Sequence, residues 1–374
     1  MNFIISSNIL LKGLQNVSGL LSSNSLVPII ENFLFSTDGS KLLVTATDNE
    51  TRAIVELSPE KISGKGAVAI PPRVLLETLK TFPNIPITIN VNEETFAVEI
   101  SAGEGVYRLA GYNPENYPSV AAIENAKSIS MSSIVLQNAV SSTIFACGND
   151  EIRPQLMGVF FEITPDYTNF VATDAHKLVR FRRNDIKSDE AHSFIVHKKP
   201  LNLLRNLLNG FDCSVSVEFN NTNVSFRFEN YQVVCRLLDG KYPAYEGVIP
   251  KDNNYKLVIN RNSLISTLKR VAIFANQASH QVRFDVKGQE LNISAEDIDY
   301  SNEAKERLNC IYDGADIEIG FNSKFFLETL QTLACENITV TLSSPTRAAL
   351  LIPEETNSAE EDVLMLIMPI MLNA

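Results

Sequence analysis

Apolar side chains recur at helical spacing in six segments of the chain. The segments are 8–21, 71–82, 132–147, 197–209, 261–276 and 322–334. In the fifth, Leu264, Leu268 and Val271 fall on one face, at the i, i+4, i+7 spacing of an amphipathic helix. The pattern therefore predicts six helices. N-caps for two of them are predicted at Ser132 or Ser133 and at Asn262 or Ser263.

Between and after these helices, apolar and polar residues alternate, as they do in β-strands that bury one face. The clearest alternation lies in 32–48, 158–174 and 282–297. Two of these segments contain a glycine step that fits a hairpin turn, namely Asp38-Gly39 and Lys287-Gly288. Strands that alternate with helices in this way place the chain in the α+β class.

The pattern of helices and strands occurs three times. LETLKT at 76–81 and LETLQT at 327–332 agree at five of six positions and lie 251 residues apart. A unit of roughly 125 residues predicts a further copy near position 201, where 197–208 reads HKKPLNLLRNLL. We therefore expect three domains, 1–122, 123–252 and 253–374. The alternative is three unrelated α+β domains that look alike because all such domains share a pattern.

Charge is divided between the helices and the rest of the chain. The 374 residues include 32 Lys and Arg and 44 Asp and Glu, and the net charge of −12 argues against a nucleic-acid partner. The six helical segments alone contain ten basic and two acidic residues, so they carry +8 and the remainder carries −20. Basic helices on a shared surface attract a polyanion. The alternative is a set of solvated helix faces with Lys stems over apolar neighbours.

Several classes of protein are excluded by what the sequence lacks. The longest apolar run, 363–372, has ten residues and contains a proline, whereas a membrane span needs about 20. No basic leader precedes the first apolar residues, so no signal peptide is expected. Five scattered cysteines without a CxxC pair suit free thiols in the cytoplasm, and four histidines without an i, i+4 pair predict no metal site. No cofactor-binding motif is present. No motif that reads DNA bases is present either, so any DNA contact would be independent of base sequence.

Longer motifs carry a specific resemblance. VATDAHKLVRF at 171–181 and LLDGKYPAYEGVIP at 237–250 are the most specific. Supporting segments are 10–21, 28–35, 153–162, 317–330 and 367–372. With these motifs in this order, the chain resembles the bacterial DNA polymerase III beta subunits, the sliding clamps, over nearly its full length. The resemblance implies three DNA-clamp domains, each with two helices packed on antiparallel sheets, and two chains joined head-to-tail in a closed ring.

The resemblance also implies a function without catalysis. The ring surrounds duplex DNA with its helices and tethers the replicative DNA polymerase as a processivity factor. A clamp loader complex opens and places the ring, and other DNA polymerases and repair proteins bind it through short peptides. One rival hypothesis is an enzyme with an unrecognised active site. Another is a repeat-built scaffold that binds only protein.

The charge pattern and the resemblance together suggest which residues face DNA. The predicted lining residues are Arg73, Lys80, Arg153, Lys198, Lys199, Arg205, Lys269 and Arg270. Two departures from the family weaken the expected loop contacts. Asn24 stands where Arg is frequent, and Pro154-Gln155 stand where some members have aromatic residues.

In the family, partner peptides bind an apolar pocket between the second and third domains. The matching positions are Leu156, Thr173, Ala175, His176, Lys177, Leu178, Pro243, Val248, Ile367, Met368, Pro369, Ile370, Met371 and Leu372. An apolar tail rich in Met suits a site that accepts several ligands. The alternative for 363–372 is a buried final strand that ends at Pro369. Departures from the family are Met371 in place of Arg, Gly247 in place of a basic residue, and the additional Asn373-Ala374.

The resemblance also assigns a dimer seam. Its positions are Tyr107, Leu109, Ile273 and Phe274, although Ile273 and Phe274 could instead be the buried core of their helix. Asp174 and His176 could suggest catalysis, but no nucleophile accompanies them. We therefore expect no active site, and expect His176 to line the pocket.

Overall fold

The computed structural model describes residues 1–22, 25–118, 123–356 and 358–372. Six α-helices lie in this part of the chain, namely α1 (Ser7–Val17), α2 (Pro72–Thr81), α3 (Ser133–Thr143), α4 (Lys198–Leu208), α5 (Arg261–Val271) and α6 (Ser323–Thr332). Each overlaps one of the predicted segments. In α5 the predicted Leu264, Leu268 and Val271 are all buried, because the i, i+4, i+7 positions form the face that packs on the sheet.

Twenty-six β-strands lie in the same part of the chain. The first nine are β1 (Asn2–Ser6), β2 (Phe33–Thr37), β3 (Leu42–Thr47), β4 (Thr51–Leu57), β5 (Lys61–Ser63), β6 (Gly66–Ile70), β7 (Pro86–Val91), β8 (Val98–Ala102) and β9 (Gly105–Leu109). The next eight are β10 (Lys127–Ser132), β11 (Gly158–Ile163), β12 (Thr168–Thr173), β13 (Lys177–Arg183), β14 (His192–His197), β15 (Ser214–Phe219), β16 (Asn223–Phe228) and β17 (Tyr231–Arg236). The last nine are β18 (Tyr255–Asn260), β19 (Gln281–Lys287), β20 (Glu290–Asp297), β21 (Asn302–Asn309), β22 (Ile311–Asp313), β23 (Ile317–Asn322), β24 (Asn337–Leu342), β25 (Ala349–Pro353) and β26 (Glu361–Ile367).

The order of elements repeats three times. Each third of the chain runs through one strand, a helix, four or five strands, a second helix and three strands. The predicted hairpin turns are confirmed, since Gly39 and Gly288 have φ of +101° and +56°, values that favour glycine. The α+β class with three repeated units is therefore the observed architecture.

The strands form four antiparallel sheets, two in each of two compact units. The first unit comprises 1–137 and 199–237 and contains the sheets β5-β1-β7-β8-β9 and β10-β15-β16-β17-β4-β3-β2-β6. The second comprises 138–198 and 238–374 and contains the sheets β14-β11-β12-β13-β26-β25-β24-β18-β22 and β21-β20-β19-β23. The middle third of the sequence thus contributes strands to both units.

One long-range strand pairing lies within the second unit. Strand β13 pairs with β26 from Lys177↔Ile367 to Arg183↔Glu361, over seven positions. The pairing aligns the turn that precedes β13 with the segment that follows β26. Two parts of the predicted pocket that lie nearly 200 residues apart in the sequence therefore meet.

The helix starts differ in one respect from the prediction. Ser132 Oγ accepts a hydrogen bond from Ile134 N at 3.2 Å, so the serine before α3 acts as its cap. For α5 the prediction of Asn262 or Ser263 is wrong. The cap is Asn260, whose Oδ1 accepts from Ser263 N at 3.0 Å, because the helix begins at Arg261, before its first apolar residue Leu264.

Candidate functional site

An apolar cluster lies in the second unit where β12, β13 and β26 run side by side. Its buried members are Leu156, Val171, Leu178, Ile195, Tyr242, Tyr245, Ala348, Leu350, Leu364 and Leu366, with Phe160, Leu238 and Ile249 packed against them. Leu156 and Leu178 belong to the predicted pocket. The other members were not predicted as part of it.

Two tyrosines that the sequence analysis missed shape this cluster. The ring of Tyr242 stacks on Phe160 with centroids 4.6 Å apart, and the hydroxyl of Tyr245 donates to Glu162 Oε2 at 2.5 Å. Burial raises the pKa of both phenols, and the Glu162 carboxylate raises that of Tyr245 further. Both hydroxyls are therefore neutral donors at physiological pH. The i, i+3 spacing of the tyrosines in a short Pro-bearing segment was the available signal.

Several predicted pocket residues are exposed beside the cluster. Val248 is 57% exposed, Met368 42% and Met371 72%. Pro243, Ala175 and His176 are also exposed, whereas Pro369, Ile370 and Leu372 are half-buried. Thr173, Lys177 and Ile367 are buried. The strand alternative for 363–372 is thus correct as far as Ile367, where β26 ends, and the residues beyond it reach the surface.

The turn between β12 and β13 is held by its own side chains. Asp174 Oδ1 accepts hydrogen bonds from the N–H groups of His176 and Lys177, both at 2.9 Å. Thr173 Oγ1 accepts from Ala175 N at 3.1 Å and donates to Lys177 O at 2.7 Å. Ala175 takes a φ of +75°, which is unusual for a residue with a Cβ. Asp174 is thus engaged in forming the turn, and its geometry gives no support to a catalytic role.

Lys177 lies beneath the surface in an ionic cluster. Its side chain is 5% exposed, and its ammonium lies 2.7 Å from Asp174 Oδ2 and 3.3 Å from Glu328 Oε2. The same ammonium lies 4.4 Å from the ring centroid of Phe325, and that ring stacks on His176 at 5.6 Å. Lys177 therefore connects the turn to α6. Phe325 was missed because the apolar positions of α6 indicated only a helix face.

In the first unit, the predicted DNA-facing residues differ in how available their charge is. Arg73 is 85% exposed, with one 3.4 Å contact to a glutamate one helical turn later. Lys80 is exposed and makes no ion pair with the part of the chain that is described. Lys199 donates to the carboxylate of Asp48, and Arg205 is half-buried. Arg73 and Lys80 on α2 thus present the most accessible charge here.

On α5, two adjacent basic residues have different surroundings. Lys269 is exposed, and no described carboxylate pairs with it. Arg270 forms a two-pronged ion pair with Glu306 on β21, with Nε to Oε1 at 2.7 Å and Nη2 to Oε2 at 2.6 Å. The hydrogen bonds raise the pKa of the Arg270 guanidinium and lower the pKa of Glu306. A phosphate would have to compete with Glu306 for Arg270 but not for Lys269.

The remaining predicted cations lie near one loop. Arg153 is about half exposed and pairs with Asp150 at 3.2 Å. Lys198 donates to Gly148 O at 2.7 Å and to Asn149 Oδ1. The two residues therefore stabilise the loop before β11. Among the departures from the family, Asn24 and Asn373-Ala374 lie outside the described residues.

The predicted seam residues lie at sheet edges and at the end of a helix. Strand β9 is an edge strand of its sheet, with Val106 56% and Tyr107 41% exposed, while Leu109 is half-buried. Strand β21 is one of the two edge strands of the four-stranded sheet in the second unit. Ile273 is 77% and Phe274 39% exposed. The alternative that these last two residues form helix core is therefore wrong.

None of the helices in the described residues is both long enough and apolar enough to cross a membrane. Over the same residues, no group of three or more His, Cys, Asp or Glu side chains could hold a metal ion.

Comparison with protein families matches almost the whole chain. The N-terminal, central and C-terminal domains of the DNA polymerase III beta subunit match residues 1–121, 130–244 and 246–370, in that order. The beta sliding clamps of Pseudomonas putida and Vibrio cholerae are both 28% identical, with complete coverage of both chains.

Solved structures give the same result. The DnaN sliding clamp of Pseudomonas aeruginosa bound to griselimycin is 27% identical with a TM-score of 0.94, and the beta subunit of Thermotoga maritima is 25% identical with a TM-score of 0.90. Both comparisons cover 100% of each chain. By sequence and by fold, this chain belongs to the DNA polymerase III beta subunit family, the sliding clamps.

Proposed function

We propose that the chain is a sliding clamp that encircles duplex DNA and tethers the replicative DNA polymerase as a processivity factor. The observation that carries this proposal is the ordered match of all three family domains along the chain. A clamp holds DNA by topology, so its task needs no chemical step at the protein. We therefore propose no catalytic role, and a cytoplasmic location with the DNA.

The proposed assembly is a head-to-tail homodimer of chains with domains 1–122, 123–252 and 253–374. Support comes from two edge strands, β9 in the first unit and β21 in the second, whose outer edges have no partner strand among the described residues. On β9 the exposed edge carries the apolar side chains of Val106 and Tyr107, which invites pairing with another chain. Tyr107, Leu109, Ile273 and Phe274 would lie at that seam.

The proposed DNA contacts are made by cations on the helices and are independent of base sequence. Arg73, Lys80 and Lys269 are the best supported, since they are exposed and are not tightly paired. Lys199 and Arg270 would contribute less, because each is already held by a carboxylate. Mobile contacts of this kind suit a ring that moves along DNA.

The proposed partner site is the apolar cluster of the second unit and the exposed residues beside it. Met368, Met371 and Val248 supply adaptable apolar surface, as a site for several ligands requires. The ligands we propose are short peptides of the replicative polymerase, the clamp loader, other DNA polymerases and repair proteins. The P. aeruginosa clamp bound to griselimycin shows that a relative takes up a ligand.

Loading followed by linearisation tests the clamp function. The chain is loaded by a clamp loader onto nicked circular DNA, the DNA is then cut once, and bound protein is measured by gel filtration. A clamp remains on the circle and leaves the linear DNA through its ends. The uncut circle serves as the matched control.

Other outcomes would support the rival hypotheses. A protein-only scaffold would not load, and an ordinary DNA-binding protein would remain bound after linearisation. Retention on linear DNA without blocked ends would therefore contradict the proposal. Loss from the cut DNA but not from the circle would support it.

A further inference from the structure

Within the described residues, two backbone hydrogen bonds attach the segment that follows β26 to the rest of the second unit. We call Met368–Leu372 the tail. Met368 N donates to His176 O at 2.9 Å, and Ile370 N donates to Gly320 O at 2.8 Å. The first bond joins the tail to the β12–β13 turn and the second joins it to the outer edge of β23.

Only a residue without a side chain can occupy position 320 in this arrangement. A Cβ on Gly320 would lie 2.6 Å from Ile370 O and 2.8 Å from Leu372 Cδ2, both well inside van der Waals contact. The Leu372 side chain could rotate away, but Ile370 O belongs to the backbone and can move only with the tail. Gly320 therefore lets the tail approach β23 closely enough for a backbone hydrogen bond.

A larger residue at position 320 would displace the tail and not strand β23. Strand β23 is paired with β19 at six consecutive positions, from Gln281↔Asn322 to Val286↔Ile317. The tail is held on β23 by a single bridge, Gly320↔Ile370. Displacing the tail costs one such bond, whereas displacing β23 disrupts a whole ladder.

Residues 320–328 also hold the other side of the proposed pocket. Phe325 stacks on His176, and Glu328 lies 3.3 Å from the buried ammonium of Lys177. The tail and the turn are thus both fixed against one continuous segment, β23 with the start of α6. A change at Gly320 alters only the tail side of that arrangement.

We infer that Gly320 is a positioning residue of the proposed peptide pocket, which it serves by fixing the tail against β23. This inference rests on the proposed partner site. Gly320 touches no ligand itself. It sets where Met368 and Met371 stand before a ligand arrives, so that less ordering is required on binding.

The test is Gly320→Ala, with Gly19→Ala as the matched control. The control makes the same change at a glycine whose added Cβ would have its nearest neighbour at 3.9 Å. Griselimycin is titrated calorimetrically into each full-length chain. We expect Gly320→Ala to weaken binding about five- to tenfold, the effect of one lost hydrogen bond, and Gly19→Ala to leave it unchanged.

Hydrogen exchange separates positioning from general damage. In Gly320→Ala the amide of Ile370 should lose its protection, while the amides of the β19–β23 ladder keep theirs. If Gly320→Ala does not fold, Ile370→Pro breaks the same bond from the tail side by removing the N–H. Because Ile370 is itself a predicted pocket residue, Ile370→Ala is the control for its side chain, and Ile370→Pro should weaken griselimycin binding about five- to tenfold more than Ile370→Ala.

The outcomes distinguish this inference from the proposed function. If the wild-type chain does not bind griselimycin, the pocket itself is refuted and the role of Gly320 with it. If the wild-type chain binds griselimycin and Gly320→Ala and Gly19→Ala bind it equally well, only the role of Gly320 is refuted. Loss of affinity together with faster exchange at Ile370 supports it.

Discussion

At the residue scale, Lys177 is a buried cation balanced by carboxylates. Asp174 is 16% and Glu328 49% exposed in their side chains, so the two partners differ in how much water screens them. Replacing Lys177 by Met keeps the apolar stem against Phe325 but leaves the mostly buried carboxylate of Asp174, 16% exposed, without its ion pair. We expect Lys177→Met to lower the free energy of unfolding by about 3 kcal/mol, measured by urea denaturation.

Glu328→Gln provides the control for this prediction. It removes the other carboxylate of the same cluster. Because that carboxylate is half exposed, its ion pair contributes only about 0.5 kcal/mol to the free energy of unfolding. Equal losses of stability in the two variants would contradict the assignment of Lys177 and Asp174 as the structural pair. Unchanged stability in Lys177→Met would contradict it as well.

Cys147 illustrates the effect of burial on a thiol. Desolvation is the main cause that raises its pKa to about 12, and the positive charge of Lys198 opposes this only partly. The thiolate is the reactive form, and at pH 8 almost none of it is present. We expect iodoacetamide at pH 8 to modify Cys147 on the order of a thousandfold more slowly in the folded chain than in urea. Peptide mass spectrometry gives both rates, and equal rates would contradict the burial.

At the scale of the element, α5 shows that a basic helix face need not act as a unit. Lys269 is exposed, whereas Arg270 is bound to Glu306 on β21. We expect Lys269→Ala to reduce the slope of log affinity against log salt for duplex DNA by about one, the value for one phosphate contact. Arg270→Ala should change this slope less.

Fluorescence anisotropy with labelled duplex DNA at several salt concentrations measures both slopes. Arg270→Ala is the control for Lys269→Ala, since both remove one positive charge from the same helix. A larger effect of Arg270→Ala would show that Glu306 releases the guanidinium when DNA is present. That outcome would contradict our ranking of the two residues.

The helices could be predicted from the sequence, whereas several of their contacts could not. The apolar spacing of α5 is a local property, so Leu264, Leu268 and Val271 were predicted correctly. The pairing of Arg270 with Glu306 depends on a strand 36 residues away, and no local pattern indicates it. The cap at Asn260 was missed for a different reason, since the apolar pattern begins later than the helix.

The same division applies to the candidate site. His176 and Met368 could be named because the motifs around them resemble a family. Phe325 and Gly320 could not be named from the sequence. Phe325 matters because the fold brings its ring against His176, and Gly320 matters because the fold brings the backbone of Ile370 close to it. A glycine in a strand sequence indicates that another segment approaches the backbone closely, but it does not identify that segment.

At the scale of the whole molecule, the sequence repeats in thirds but its contacts group in two units. The reason is that strands of the middle third pair with both neighbours. Strand β17 pairs with β4 in the first unit, and β13 pairs with β26 in the second. Such pairings join residues more than 170 positions apart, so a repeat length alone does not indicate them.

Ile273 is an exposed apolar residue that we place at the proposed dimer seam. Ile273 is 77% exposed, so its replacement by Asp costs the isolated chain little, but would place a carboxylate in the proposed apolar seam. We expect Ile273→Asp to sediment as a monomer at micromolar concentration while the wild-type chain sediments as a dimer. Ile152→Asp, at a residue 89% exposed in the loop before β11 and outside the proposed seam, should remain dimeric. A dimer for Ile273→Asp, or a monomer for the wild type, would contradict the seam.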